Sequence, residues 1–326
     1  MTSRTTRRRF VAIAGAVAGA ALSPARGGRA AASLHHWNGV ALGARASIRL
    51  LHPDPVEAGR VIDLAVQEIE RLELIFSLYR ADSAVTLLNR QGRLEPPPLE
   101  LVEVLSRARE VSRASGGAFD VSVQPIWGRY RDHFSVATPD AGAPEVADLL
   151  PLVDWRAVRI DGAAITFERA GMAITLNGIA QGYVADQVAA LLRRNGVQDV
   201  LLDLGEARAL GHAPGGRAWQ IGIADVADPE RVRARVECTD GAVATSNGSG
   251  TVFDRDGRYG HLIDPRDGRT GSLTRAVTVS AREATVADAW STAFALMTAD
   301  ETRDVAAAVG GLGVYVAETG SVARLV

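Results

Sequence analysis

The spacing of apolar residues changes repeatedly along this chain between helical and strand periods, without a regular strand–helix–strand repeat. Apolar positions at helical spacing predict helices over residues 55–75, 98–114, 178–195 and 285–298. Alternating or continuous apolar runs predict strands at 45–51, 200–204, 218–224 and 275–281, a hairpin over 156–176 that continues to a third strand at 173–174, and a terminal strand pair over 313–325. This irregular order predicts the α+β class: a single compact domain of mixed or antiparallel sheets with packed helices.

Composition excludes several kinds of catalytic site. All 36 basic residues of the 326-residue chain are Arg, and Cys238 is the single cysteine. Without Lys the chain has no Walker A phosphate loop and no Schiff-base or Ser-Lys catalysis, because each needs a lysine amine. One cysteine excludes an intrachain disulfide and a cysteine-based zinc or iron–sulfur site.

Residues 1–32 have the features of an export signal. Arg7, Arg8 and Arg9 precede Phe10 and an apolar run rich in Ala and Gly, and small residues follow at 30–32. The paired Arg before Phe predicts the twin-arginine type, and therefore a periplasmic protein whose mature part has no transmembrane span. A disordered basic tail or a membrane anchor is the alternative. The first 29 residues contain six Arg and no acid, so the rest of the chain is acidic and a nucleic-acid partner is not expected.

Two glycine-containing segments are candidate ligand sites. Residues 116–125 place Gly116 and Gly117 before a predicted strand, so that the backbone can approach a ligand and Asp120 can accept hydrogen bonds from a purine or a ribose. Residues 175–186 place the start of a helix after a predicted strand, which suits a phosphate or pyrophosphate. Each has a structural alternative: a helix stop in the first segment, and close helix packing at Gly178 and Gly182 in the second.

Two further segments carry side chains for chemistry. His261 precedes Leu-Ile-Asp-Pro at the predicted end of a strand and is the candidate general base among the six histidines. Asp288 and Thr292 are four residues apart on a predicted helix and therefore share one face. Their oxygens suit a hard cation such as Mg²⁺, although a buried Thr bonded to its own helix is the structural alternative.

Taken in order, these segments resemble the FAD:protein FMN transferase family, also called ApbE-like flavin transferases, from about residue 40 to the end of the chain. The matching segments are Phe76-Ser77-Leu78-Tyr79 with Ser83 and Leu88-Asn89, then 116–120, 178–186, 203–206 with Trp219 and Gly222-Ile223, Thr245-Ser246, 261–268 and 287–293. Residues 33–326 are accordingly expected to form one flavin transferase domain.

The resemblance implies a bound substrate, a metal and a reaction. FAD would be bound with its diphosphate facing Mg²⁺, and the metal would be held by Asp288, Thr292 and the carbonyl of Gly178. FMN would be transferred to a Thr or Ser of an exported or membrane-bound target flavoprotein, with release of AMP. The FAD-binding residues that the resemblance implies are Leu42, Tyr79, Ala118, Phe119, Asp120, Thr175, Gln181, His261 and Leu262. The expected catalytic residues are Asp288, through the metal, and His261, our candidate for taking the hydroxyl proton.

The chain departs from the family pattern at four places. Leu42-Gly43-Ala44 stands for Met-Gly-Thr, Thr175 for Asp, Gln181 for Lys, and Glu206 for the second Gly of Asn-Leu-Gly-Gly. The substitutions at 175 and 181 favour an alternative, a non-catalytic FAD carrier or assembly factor for a periplasmic redox system. A flavin pyrophosphatase that releases FMN and AMP is a third reading. The twin-arginine signal also resembles that of the accessory flavoproteins of nitrous oxide reductase maturation, which serve a membrane-bound flavoprotein.

Overall fold

An antiparallel sheet of eight described strands forms the centre of the fold. The computed structural model describes residues 11–12, 32–138 and 140–326. Its strands are β1 (Val11–Ala12), β2 (Ser33–Ala41), β3 (Ala44–His52), β4 (Arg93–Leu94), β5 (Val158–Ile160), β6 (Ile165–Phe167), β7 (Val200–Asp203), β8 (Ala207–Leu210), β9 (Trp219–Ala224), β10 (Val232–Cys238), β11 (Ala242–Asn247), β12 (Arg275–Ala281), β13 (Gly313–Glu318) and β14 (Ser321–Arg324). The central sheet has the order β14-β13-β12-β11-β8-β7-β3-β2, and two three-stranded sheets have the orders β1-β9-β10 and β4-β6-β5.

Helices cover one face of the central sheet. They are α1 (Pro55–Phe76), α2 (Ala84–Gln91), α3 (Leu99–Ala114), α4 (Gln124–Val136), α5 (Ala180–Arg194), α6 (Ala284–Ala295) and α7 (Ala299–Val309). The longest, α1, begins where Asp54 accepts hydrogen bonds from the amides of Val56 and Glu57. Its apolar stripe, which includes Ile69 and Leu72, joins the strand side chains and the buried α5 and α6 in one core.

The opposite face of the central sheet is covered by the sheet of β9 and β10. Leu201, Ala209 and Val243 from the central strands pack against Trp219 and Ile221 in a second core. The indole of Trp219 donates a hydrogen bond of 3.2 Å to the carbonyl of Leu210, so its polar edge is satisfied inside that core. The layers are therefore helices, central sheet and small sheet, and the α+β prediction is confirmed.

Most predicted elements are present, with boundaries within a few residues. The predicted helices correspond to α1, α3, α5 and α6, and the predicted strands to β3, β5, β6, β7, β9 and β12, with β13 and β14 as the terminal pair. The predictions did not include β1, β2, β4, β8, β10, β11, α2, α4 or α7.

Three local predictions were wrong. Residues 173–174 form no strand, because the side chain of Asn89 bonds both backbone groups of Ile174, at 2.8 Å and 2.7 Å, in place of a partner strand. The segment after Gly117 is helical rather than extended, since Asp120 caps a short 3₁₀ turn that leads to Pro125 at the start of α4. His261 does not end a strand. It follows an isolated bridge between Val252 and Gly260.

The export signal predicted over residues 1–32 lies outside the described residues, apart from positions 11, 12 and 32. Within the part of the chain that the structure describes, every helix is too short or too polar to span a bilayer.

Candidate active site

A pocket lies where the first turn of α5, helix α6 and the end of β11 meet two loops. One loop contributes residues 118–121, and the other contributes residues 250, 251, 261–263 and 265. Ten of the residues predicted from the sequence line this pocket: Ala118, Phe119, Asp120, Thr175, Gly178, Gln181, His261, Leu262, Asp288 and Thr292. Segments separated by more than 170 residues of sequence are thus brought to one place.

Helices α5 and α6 cap each other. The N-cap residue of α5 is Ile179, whose side chain cannot accept a hydrogen bond. Asp288 of α6 instead accepts a hydrogen bond of 2.9 Å from the amide of Gly182, in the first turn of α5. In return, Asp186 of α5 accepts hydrogen bonds from the amides of Ala284 and Thr285, at 3.0 Å and 2.8 Å. The unpaired amides at the start of each helix are therefore satisfied by a carboxylate of the other.

Gly182 permits this close crossing. A Cβ at this position would lie 2.2 Å from the carbonyl oxygen of Ala284 and 2.8 Å from the Cβ of Asp288. Because the obstructing oxygen belongs to the backbone, a side chain at 182 would require α6 to move. The glycine therefore holds the Asp288 carboxylate at the positive end of the α5 dipole.

An ion pair supports the same junction. The guanidinium of Arg208 donates a hydrogen bond of 2.9 Å to Asp186, and both side chains are mostly buried. The hydroxyl of Thr285 also donates to Asp186, at 2.7 Å. With so many donors, Asp186 is held as a structural residue that positions α6.

Hydroxyl groups line the pocket beside Asp288. The Ser246 Oγ lies 2.8 Å from the Ser291 Oγ and 3.1 Å from the Thr292 Oγ1. Gly178 faces the same group, since a Cβ there would lie 2.8 Å from the Thr292 Oγ1. The three residues predicted to hold a metal, Gly178, Asp288 and Thr292, thus lie on one wall of the pocket.

This donor set suits Mg²⁺ better than zinc or another transition metal. Within the described ranges, no group of three or more His, Cys, Asp or Glu side chains is placed to hold an ion. The wall of the pocket instead offers one carboxylate, hydroxyl oxygens and a backbone carbonyl. Mg²⁺ is commonly bound through one or two carboxylates, with substrate phosphates completing its shell.

His261 is oriented by the backbone of Thr251. Its Nδ1 lies 3.2 Å from the Thr251 carbonyl oxygen and accepts a hydrogen bond of 3.3 Å from the Thr251 amide. Donation from Nδ1 to the carbonyl requires a proton on Nδ1, whereas the bond from the Thr251 amide requires a lone pair there, so the two contacts favour opposite tautomers. A half-buried ring held in this way on the pocket wall is a candidate proton acceptor.

Asp120 is occupied with local structure. Its carboxylate accepts hydrogen bonds from the amide and hydroxyl of Ser122, at 2.8 Å and 2.6 Å, and from the amide of Trp155, at 3.0 Å. Burial raises the pKa of Asp120, and the hydrogen bonds from Ser122 and Trp155 act against that rise. The carboxylate therefore fixes the shape of the 118–123 turn on the pocket wall.

Leu42 and Tyr79 lie at one edge of the site and do not line the pocket. Leu42 and Gly43 form the tight turn between β2 and β3, both with positive φ, and the Leu42 amide donates to the carboxylate of Glu73. A Cβ on Gly43 would lie 3.9 Å from the Tyr79 ring, which is two-thirds exposed. The next residue, Ala44, does line the pocket, so this edge adjoins it.

The predictions missed several pocket residues. Ser246 had been noted as part of a motif, but nothing local indicated that its hydroxyl would meet Thr292 of another element. Glu206 had been noted as a departure, and it is a buried pocket residue that accepts a hydrogen bond of 3.2 Å from the Thr245 amide. No sequence pattern identifies Asn247 as a pocket residue. Its neighbours Thr245-Ser246 were the signal that could have led to it.

The fold and the pocket together define an antiparallel α+β protein with an oxygen-lined site of the kind that suits a phosphate-bearing ligand. Residues 42–316 match the ApbE family, and the chain belongs to that family.

Individual relatives have similar lengths. The chain is 30% identical over 292 residues to the FAD:protein FMN transferase of Treponema pallidum, covering 82% of this chain and 80% of that protein. It is 28% identical over 286 residues to that of Vibrio cholerae, covering 84% of each. Two solved structures share its fold at 24% identity and a TM-score of 0.77, and each is matched over 90% of this chain. One is the flavin transferase ApbE from Vibrio cholerae, of which 97% is covered. The other is the apo form of the Pseudomonas stutzeri flavinyl transferase ApbE, of which 95% is covered.

Proposed function

We propose that this protein is a Mg²⁺-dependent FAD:protein FMN transferase. The observation that carries the proposal is the single pocket wall formed by Gly178, Asp288 and Thr292 at the start of α5. Membership of the ApbE family and the names of the relatives support the same activity. FAD is the substrate, and the acceptor is a Thr or Ser hydroxyl of a target flavoprotein.

The charges of the pocket explain the need for a metal. Its lining contains the carboxylates of Asp120, Glu206 and Asp288, and no arginine side chain is among the described lining residues. A diphosphate would therefore meet little positive charge from the protein. Asp288, the Thr292 hydroxyl and the Gly178 carbonyl would hold Mg²⁺, which when bound neutralises phosphate charge and polarises the phosphorus.

The chain's own residues orient the reactants. The amides at the start of α5 provide the positive end of a helix dipole, and Gly178 leaves room for a ligand to approach the backbone. Attack by the target hydroxyl forms the bond from oxygen to the FMN phosphorus, and the bond from that phosphorus to the AMP oxygen breaks. The imidazole of His261 takes the hydroxyl proton, and AMP leaves with the negative charge. Positioning supplies most of the rate in such a transfer.

One experiment separates transfer from the two alternatives. The protein is mixed with FAD, MgCl₂ and a candidate target domain, and the target is weighed by mass spectrometry. A mass gain of one FMN with release of AMP supports transfer. Unchanged FAD with no labelled target supports an FAD carrier, the alternative that Thr175 and Gln181 favour. Free FMN with no labelled target supports a pyrophosphatase.

Two variants test the roles of individual residues. Asp288→Ala is expected to abolish Mg²⁺-dependent turnover, with the exposed Asp63→Ala on α1 as its matched control. His261→Ala is expected to lower the transfer rate at least 100-fold while FAD still binds, because it removes a proton acceptor. The control is His212→Ala, outside the pocket. Full transfer by either site variant would refute that residue's assignment.

We also propose that the transfer takes place after export, on a periplasmic or membrane-bound target. The arginine pair before Phe10 supports a twin-arginine route. Fusing residues 1–32 to a reporter that folds before export tests this. A reporter that stays in the cytoplasm, or that is exported equally well after Arg7, Arg8 and Arg9 are all replaced by Gln, would contradict it.

A further inference from the structure

Asn247 places an amide donor without a partner in the wall of the pocket. The residue ends β11 and is 4% exposed. Its Nδ2 is buried and has no hydrogen-bond partner among the described residues. Leaving a buried polar group in this state is destabilising, so such groups are uncommon unless a ligand or water completes them.

The orientation of this amide is determined by its neighbour. The Asn247 Oδ1 accepts hydrogen bonds of 2.9 Å from the Ser249 amide and 3.1 Å from the Ser249 hydroxyl, which makes Asn247 the cap of the short turn at 248–250. A backbone N–H can only donate, so exchanging the oxygen and nitrogen of the amide would set two donors against each other. The NH₂ group therefore points away from Ser249.

The position of Asn247 along the chain indicates which part of a ligand it meets. Ser246, immediately before it, contacts Thr292 on the wall proposed to hold Mg²⁺. Thr251, four residues later, orients His261, the proposed proton acceptor. Ser246, Asn247, Thr251 and His261 all line this pocket, so a phosphate held between the proposed metal and the proposed base lies in the same pocket as Asn247.

We propose that the side-chain NH₂ of Asn247 donates a hydrogen bond to a phosphate oxygen of bound FAD. This inference rests on the proposed function, because FAD is the ligand it requires. It adds a positioning donor to a pocket in which no arginine side chain is among the described lining residues. A neutral amide can bond a phosphate oxygen without competing with Mg²⁺ for the carboxylate of Asp288.

The test uses two variants that keep the cap of the 248–250 turn. Asn247→Ser and Asn247→Asp both retain an oxygen acceptor for Ser249, and both remove the NH₂ donor. The Asp variant also adds a negative charge. Asn195→Ser, at the end of α5 and outside the pocket, is the matched control, and thermal unfolding without FAD establishes that each variant is folded.

The measurement is the dissociation constant for FAD in MgCl₂, from flavin fluorescence, together with the visible spectrum of the bound flavin. Asn247→Ser is expected to weaken binding about tenfold, Asn247→Asp more strongly, and the control by less than twofold. The spectrum should not change, because the phosphates are not part of the chromophore.

Three results would overturn the inference. Wild-type affinity in folded Asn247→Ser and Asn247→Asp would refute it while leaving the proposed function intact. Weaker binding with a shifted flavin spectrum would place the donor on the ring and refute the phosphate assignment. A wild-type protein that binds no FAD would refute both the inference and the proposed function.

Discussion

Gly182→Ala tests whether the close crossing of α5 and α6 positions the site. The added methyl group would lie 2.2 Å from the Ala284 carbonyl oxygen, whereas a carbon and an oxygen in close contact are normally about 3.3 Å apart. Helix α6 would therefore have to move by about 1 Å. The hydrogen bond from the Gly182 amide to Asp288 would be stretched or lost with it.

The expected magnitude follows from three contributions. Overpacking of this kind costs about 1–3 kcal/mol, and the loss of a hydrogen bond to a carboxylate costs about 1.5–3 kcal/mol. The better helix propensity of Ala offsets about 1 kcal/mol. We expect a net loss of about 1.5–5 kcal/mol in the free energy of unfolding. Turnover should fall about 100-fold, since a 1 Å displacement of catalytic groups has that effect.

The control is Gly59→Ala on α1. A Cβ there meets nothing within 4 Å, so the same substitution should stabilise the protein by about 0.5–1 kcal/mol. Urea unfolding measures the free energy of both variants, and AMP release measures turnover. Equal stability of the two variants would refute the steric argument. Lost stability with unchanged turnover would refute the claim that this crossing positions Asp288.

Three further predictions concern groups outside the pocket wall. Asp186→Ala should lower the free energy of unfolding by about 3 kcal/mol, because it uncaps α6 and leaves the buried Arg208 without its carboxylate. An effect below about 1 kcal/mol in urea unfolding would contradict this prediction. Burial raises the pKa of the Cys238 thiol to about 11, so a disulfide reagent at pH 8 should label it only after unfolding, and rapid labelling of the folded protein would show that the site is open. Hydrogen bonds from the Ala227 amide and from Arg233 hold the pKa of Asp225 below its usual range. The stabilising contribution of Asp225 is therefore present above about pH 4 and is lost as the pH falls through the lowered pKa. Asp225→Asn should make the free energy of unfolding fall less steeply at acid pH, and an unchanged fall would contradict this prediction.

Elements whose periodicity was strong were predicted well from the sequence, and short elements were not. Helix α1 repeats its apolar positions over 22 residues, and its boundaries were predicted within about one residue. Strand β11 reads Ala-Val-Ala-Thr-Ser-Asn, which alternates too little to be recognised. It becomes a strand because β12 pairs with it along its whole length.

Hydrogen bonds between distant residues decided other parts of the fold. Ile174 looks like part of a strand, but the side chain of Asn89 occupies its backbone groups. No pattern near residue 174 contains this information, since the two residues are 85 positions apart. The same holds for Asp120, which lines the pocket and also accepts a hydrogen bond from the amide of Trp155, 35 positions away.

By itself, the sequence determined the α+β class, the main helices, the placement of Asp288 and Thr292 on one helical face, and the resemblance that indicates a flavin transferase. These features depend on periodicity and on motif order, both of which are local or linear properties of the chain. Only the tertiary structure decided that Asp186 and Asp288 each cap the helix of the other, that Ser246 meets Thr292, and that the side-chain NH₂ of Asn247 is buried without a partner among the described residues. Those contacts join residues far apart in the chain, and they arise only when the helices pack closely enough, at Gly182, to bring them within hydrogen-bond distance.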